Sequence, residues 1–231
     1  MVTARRMRVD AVIFDFDGVV VDSEPTHHAG FQRVLRGVGI EMSRQDYYEK
    51  YLCYSDRDVF RICAADRGVE LTAERIEELI HEKGRVVLDL FAQGVEPMHG
   101  AVELIGAISD AGTPLAICSM ALRAEIEAAA RAVGVYDRFD VVTSAEDVTK
   151  GKPDPDGYEL TRRRLEDLHG RPIAADRCVV FEDSPGGIQA ANAAGMKVVA
   201  VTNTYPAEDL TAAARVVDSL VSVSRQSLAE L

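Results

Sequence analysis

Five short apolar runs, separated by segments of helical period, constrain this chain more than any other feature. The runs cover residues 11–14, 115–119, 139–143, 178–181 and 197–201. Each has the length of a strand rather than a helix and is bounded by turn residues. Between the last four, and on either side of them, apolar residues recur at helical spacing over 101–111, 123–133, 155–168, 188–194 and 207–214. Val216 and Val217 add a short edge strand. Buried strands alternating with helices form a parallel sheet covered on both faces, so the expected fold class is α/β.

The alternation is interrupted once. After Asp22, about seventy residues read as helix alone on periodicity. Ser23 is expected to cap the first helix, with Glu24 and Pro25 in its first turn. Phe31, Val34, Leu35 and Val38 then repeat at helical spacing before Gly39, and further helices are expected over 44–51, 56–67 and 73–91. Residues 1–20 and 95–231 therefore form the α/β core, and 21–94 an all-helical insertion after the first strand. An insertion at that point is suited to act as a lid.

At 231 residues and 47% apolar composition, the chain is long and apolar enough for one core plus such an insertion. No apolar stretch reaches bilayer length. The basic start, Met1 to Arg8, runs into an apolar segment that stops at Asp15, too short and acidic for a signal peptide. A cytoplasmic protein is expected, and nothing calls for more than a monomer. The four cysteines (Cys53, Cys63, Cys118, Cys178) lack metal-ligand spacing, and disulfides are not expected. A net charge of −12 argues against a nucleic-acid partner, which would call for a basic stripe. An acidic protein that binds an anion needs local positive charge from a metal, lysines or helix N-termini.

Four stations fall at strand ends, where open α/β sheets keep their ligands. The first is D-F-D-G-V-V-V-D-S-E, Asp15 to Glu24. Side chains alternate along a strand, so Asp15 and Asp17 leave on the face of Ile13, and two like charges there call for a cation between them. The second is V-V-F-E-D-S-P-G-G-I, which delivers Glu182 and Asp183 at a strand tip. Ser184 then suits an N-cap, Pro185 the first helical position and Gly195 the stop, while Gly186 and Gly187 allow close backbone approach. Two acids from each tip can converge on one Mg²⁺, which takes a few carboxylates and keeps waters that a phosphate oxygen can replace. The blander reading of the second pair, taken on its own, is as helix-dipole partners. The third station is Ser119, able to donate to an anionic oxygen or to cap the next helix. The fourth is Lys152, held between Gly151 and Pro153, a stiff setting for one cation aimed at the acids. Lys150 reads as solvated.

Taken in this order, the four stations resemble the haloacid dehalogenase superfamily, in its phosphatase and phosphomutase branch with a small helical cap. The resemblance covers essentially the whole chain. It implies a Rossmann-like parallel sheet with an inserted helical cap. It further implies Asp15 as nucleophile, Asp17 as general acid and base, and Ser119 and Lys152 as holders of the transferring phosphoryl group. Mg²⁺ is expected on Asp15, Asp183 and the main-chain carbonyl of Asp17, with Glu182 ligating the metal or orienting its waters. Asp17 separates phosphatases from the dehalogenases of the superfamily, whose leaving halide needs no proton.

The expected activity is Mg²⁺-dependent hydrolysis of a small phosphorylated metabolite, a sugar phosphate or phosphoglycolate-like acid, through an aspartyl-phosphate. The alternatives are a β-phosphoglucomutase-like sugar phosphomutase and an inactive relative that only binds a phosphorylated ligand. His27 matches a histidine of the β-phosphoglucomutase type and is a candidate substrate contact. The cap loop of such mutases carries a Lys-Gly pair and an arginine. The comparable stretch here, Tyr51-Leu52-Cys53-Tyr54-Ser55-Asp56-Arg57, has neither Lys nor Gly and leaves Arg57 as the candidate for a distal anionic group. Met120, after the serine, departs from the small or amide residue common in relatives.

Overall fold

A computed structural model describes residues 9–51 and 54–231. The basic stretch before Val9, and Leu52 and Cys53 of the cap loop, lie outside the described residues. The chain divides into two units, Met1–Asp22 with Glu96–Leu231, and Ser23–Val95.

Strand β1 (Ala11–Phe14) opens the first unit and is buried throughout. It is followed by the short β2 (Val21–Asp22). The chain then enters the helical unit: α1 (Glu24–Arg36), α2 (Arg44–Asp46), α3 (Asp56–Ala65) and α4 (Ala73–Gln93). It returns through β3 (Glu96–Pro97), which pairs antiparallel with β2, Val21 opposite Pro97. This two-stranded ribbon carries both connections of the insertion. The alternation then runs α5 (Ala101–Asp110), β4 (Leu115–Cys118), α6 (Arg123–Ala132), β5 (Val141–Thr143), α7 (Asp156–His169), β6 (Cys178–Glu182), α8 (Pro185–Ala193), β7 (Lys197–Val201), β8 (Arg215–Val217) and α9 (Arg225–Leu228).

The six long-range strands form one sheet in the order β5-β4-β1-β6-β7-β8, every pair parallel. This is the α/β architecture that the alternation implies. Period-two alternation sorts its faces. Ala11, Ile13, Ala116, Cys118, Cys178 and Val180 share a cluster with Tyr158 and Leu165 of α7 and Ile188 of α8. Phe14 and Phe181, in register with each other, stack at 4.7 Å on the opposite face, with Phe139 edge-on to Phe14 at 6.0 Å.

Three expected elements differ. The strand expected from Phe139 begins at Val141, because the Asp140 side chain takes the amide of Leu115 (2.9 Å) in place of a ladder partner. The helix expected over 207–214 is only a 3₁₀ turn at Ala207–Asp209. Among its neighbours Leu210 is buried but Thr211 and Ala212 are exposed, so no apolar stripe sustains a longer helix. The helix over 44–51 is one α-turn continued as a π-helix, Tyr47–Tyr51. Ser23 stands at the start of α1 without a side-chain capping bond.

The helical unit has its own core: Phe31, Val34 and Leu35 of α1, Val59, Phe60 and Cys63 of α3, and Ile76 and Leu79 of α4, with Tyr47 and Tyr51. Ser43, Ser55 and Thr72 cap its later helices, each accepting from an amide three residues on. Within this unit Lys83, 3% exposed, donates to His27 Nδ1 (2.9 Å) and Asp56 Oδ1 (3.0 Å) and lies 4.8 Å from the Phe31 ring centre. Because Nδ1 accepts from an ammonium, the imidazole is neutral. Burial, and then the charge of Lys83, push its pKa down to about 3.

This has a consequence for stability against pH. An unfolded chain protonates His27 near pH 6.5, whereas the folded chain resists to about pH 3. Between those values the unfolded state binds more protons, so stability rises with pH across the window and levels off above it. Urea denaturation should show wild-type protein losing about 2 kcal/mol more than His27→Gln on going from pH 7 to pH 5. Equal losses in both would contradict a half-buried imidazole held neutral.

Candidate active site

Parallel strands deliver their carboxyl ends to one edge, and the register brings Asp15 and Glu182 together there. Phe14 pairs with Phe181, and the amide of Asp15 still donates to the Phe181 carbonyl (2.9 Å), so Asp15 extends the ladder beside Glu182. Both leave the sheet on the face of Ile13 and Val180, where α7 supplies Tyr158. Lys152 enters from the loop before α7. Its ammonium donates to Asp15 Oδ1 (2.5 Å) and Glu182 Oε1 (2.6 Å) and lies 5.0 Å from the Tyr158 ring centre. Two of its three protons are thereby used, and one is left for an anionic oxygen.

Glu182 is fully buried and held by five donors. Oε1 accepts from Lys152 and from the Tyr158 hydroxyl (2.8 Å). Oε2 accepts from the amides of Asp183 (3.0 Å) and Ser184 (3.2 Å) and from Ser184 Oγ (3.0 Å). Ser184 also caps α8, taking the amide of Gly187 (3.1 Å). The start of α8 lies so close that a Cβ at Gly187 would overlap the Glu182 carboxylate, whereas one at Gly186 would meet nothing. Of the two glycines flagged for close approach, Gly187 alone makes it, and what it approaches is this acid.

The electrostatics separate the three buried acids. Burial works to raise Glu182, but Lys152 and the bonds from Tyr158 and Ser184 outweigh it and hold the carboxyl below its usual range. Burial likewise works against the charge of Lys152, yet Asp15 and Glu182 keep it protonated well beyond an ordinary lysine. Asp15 goes the other way: burial, with the charges of Glu182 and Asp183, raises it despite Lys152. Burial, and then Glu182, push Asp183 up to about 7. One lysine thus neutralises one acid and leaves Asp15 and Asp183 short of positive charge.

That shortfall fits a hard divalent cation. Asp15, Glu182 and Asp183 each bring a ligand atom within 4.8 Å of one another. Lys152 occupies Oδ1 of Asp15 and the Thr204 hydroxyl occupies Oδ2 of Asp183, so each of these acids keeps its other oxygen for an ion. An all-oxygen set of this kind suits Mg²⁺. Asp17 lies two residues beyond Asp15, half-buried, in the turn that Gly18 makes at φ +72°. Ser119 prolongs β4 by donating its amide to Thr143 (3.0 Å), and its Oγ accepts from the amide of Ala121 (3.0 Å), which frees its proton for an incoming oxygen. Met120 is 46% exposed and rests against Gly151, where a Cβ would come within 2.6 Å of its methyl group.

His27 and Arg57 belong to the helical unit. His27, half-buried, rests on Lys83, and Arg57 forms an ion pair with Glu77 without hydrogen-bond alignment. Sequence reading did not single out Tyr158, Asn203 or Thr204. Tyr158 sits six residues after Lys152, within a helix whose apolar period accounts for it as core. Thr204 follows a buried strand, the same signal that points to Ser119, but no second acid or lysine accompanies it.

Residues 9–195 match the haloacid dehalogenase-like hydrolase family. The chain belongs to that family. It is 31% identical over 198 residues to the fructose-1-phosphate phosphatase YqaB of Escherichia coli, covering 84% of this chain and 97% of that protein. It is 28% identical over 211 residues to the validoxylamine A 7'-phosphate phosphatase of Streptomyces hygroscopicus subsp. limoneus, covering 91% and 94%. The crystal structure of CbbY from Rhodobacter sphaeroides in complex with phosphate superimposes with a TM-score of 0.83 at 25% identity, over 96% of this chain and 100% of that one. Among the described residues no helix is long and apolar enough to cross a membrane.

Because Tyr158 supplies one of two donors to Glu182 Oε1, Tyr158→Phe should keep the ring packing and lose the bond. The expected cost is about 1.5–3 kcal/mol in chemical denaturation, the range for a hydrogen bond to a charged group. An unchanged denaturation midpoint would show that Glu182 does not depend on that donor.

Proposed function

We propose that this hydrolase is a Mg²⁺-dependent phosphatase acting on a small phosphorylated metabolite, a sugar phosphate or phosphoglycolate-like acid, through an aspartyl-phosphate on Asp15. What supports the reading most is the Lys152 bridge between Asp15 and Glu182, beside Asp183 at one sheet edge. A carboxylate so restrained is aimed by its neighbours: one oxygen faces the ion, and the oxygen on Lys152 is the one left to attack. When bound, Mg²⁺ held by Asp15, Asp183 and the main-chain carbonyl of Asp17 supplies positive charge against the phosphate dianion. Glu182, its oxygens already taken by five donors, serves in this reading to hold Lys152 and the start of α8 rather than to ligate.

The chemistry follows from residue types. An oxygen of Asp15 attacks phosphorus, the ester P–O bond breaks, and Asp17 gives a proton to the leaving alkoxide. Ser119 and the remaining Lys152 proton hold the phosphoryl oxygens through the displacement. Water then attacks the aspartyl-phosphate as Asp17 takes its proton, and the bond from phosphorus to Asp15 breaks to release phosphate. The substrates that name YqaB and the validoxylamine phosphatase support a sugar-type monophosphate as substrate. Two cations of the helical unit agree, because Lys83 is paired with Asp56 and Arg57 with Glu77.

Phosphate release from an aryl phosphate and a panel of sugar phosphates tests the reading. Turnover should need Mg²⁺, stop with a chelator and return when the metal is restored. Asp15→Asn should fold normally and lose at least about a thousandfold in rate. Near-normal activity in that variant, or indifference to chelator, would overturn the assignment.

A further inference from the structure

The turn after β7 meets the acid cluster from a side that none of the four sequence stations covers. Thr202 fastens this turn to the sheet edge, its amide donating to the Val217 carbonyl (3.1 Å). Asn203 donates through Nδ2 to the main-chain carbonyl of Gly18 (2.7 Å). Thr204 donates its hydroxyl to Asp183 Oδ2 in a short bond. Gly18 completes the contact: a Cβ there would overlap Asp183 Oδ2 and come within 2.8 Å of Thr204 Oγ1. Three chain segments, the Asp15–Gly18 turn, the tip of β6 and the turn after β7, thus close on one oxygen of one carboxylate that is 5% exposed.

The hydroxyl has a definite effect on that carboxylate. A donor on Oδ2 fixes the χ angles of Asp183 and occupies the oxygen that would otherwise allow bidentate binding. Oδ1 is left as the single oxygen presented to an ion. Asn203 acts in parallel on the turn that carries Asp17, whose carbonyl is the neutral ligand in the proposed set. Threonine suits the position because a hydroxyl can donate to a carboxylate without adding charge.

We propose that Thr204, supported by Asn203, is a positioning residue for the divalent-cation site, holding Asp183 as a one-oxygen ligand. This rests on the Mg²⁺ reading given above. Hydrogen-bond partners of metal ligands commonly affect affinity by ten- to a hundredfold, and an effect of that size is expected here.

Isothermal titration of metal-free protein with Mg²⁺ alone, and with Mn²⁺ alone, provides the test on wild type, Thr204→Val and Thr204→Ser. Thr204→Ala repeats the comparison with a side chain too small to strain the turn. Thermal denaturation of the metal-free proteins establishes that each is folded. Valine and alanine should weaken Mg²⁺ binding by about ten- to a hundredfold, and serine should restore it. In activity, the loss should appear in the Mg²⁺ concentration for half-maximal rate more than in turnover at saturating metal. Wild type and Thr204→Val binding Mg²⁺ equally well would overturn the positioning role while leaving the cation site standing, as would equal losses in the serine and valine variants. Wild-type protein that takes up neither cation would overturn both.

Discussion

Everything at the active edge depends on Lys152 being buried between two carboxylates. Removing three ionised groups from water costs several kcal/mol each, and only close pairing with further hydrogen bonds offsets it. The structure meets that condition unevenly. Glu182 gathers five donors, Lys152 among them, and is the fixed anionic anchor. Asp15 accepts one hydrogen bond from the same ammonium and otherwise faces two other acids. In the proposed mechanism this asymmetry makes one carboxylate a structural post and the other the reactive group. It also explains why glycine is needed at Gly187: the helix that caps itself on Ser184 must come down directly on the anchor.

The sheet transmits that arrangement. Parallel pairing of β1 with both β4 and β6 sets Asp15, Ser119 and Glu182 at neighbouring strand ends without any loop having to be long. Lys152 arrives from a fourth segment and closes the group. The stacking of Phe14 on Phe181 keeps the opposite face dry and in register, so a slip of one residue would turn Asp15 and Glu182 away from α7.

Much of this was legible in the sequence because it obeys local rules. Buried β-rich runs ending in acids, a serine before a proline, and a lysine between glycine and proline each carry a short-range signal. The helical insertion showed through the same periodicity that failed over 207–214, where small alanines mimic a helix without an apolar stripe to bury. What could not be read is the side-chain geometry across segments. Five donors on Glu182 come from four residues on three elements, and nothing local says that Tyr158 turns its hydroxyl to that acid. Thr204 looks like any polar residue after a strand. His27 matches a histidine of related mutases, yet its neutral state depends on desolvation and on Lys83, fifty-six residues away in sequence. The strand shortened at Val141 turns on one aspartate side chain replacing a ladder bond, a choice that propensity does not encode.

The central claim is that Asp15 is the group that takes up phosphorus, with Lys152 and Ser119 holding what it takes up. Beryllium trifluoride, which mimics a phosphoryl group on a carboxylate, tests it most directly in a crystal structure grown with Mg²⁺. The expected result is a bond from beryllium to a carboxylate oxygen of Asp15, with fluorides in contact with the Lys152 ammonium and the Ser119 hydroxyl. The adduct forming on Asp17, Glu182 or Asp183 instead, or bound to Asp15 with Lys152 still spent wholly on its two carboxylates, would contradict the account.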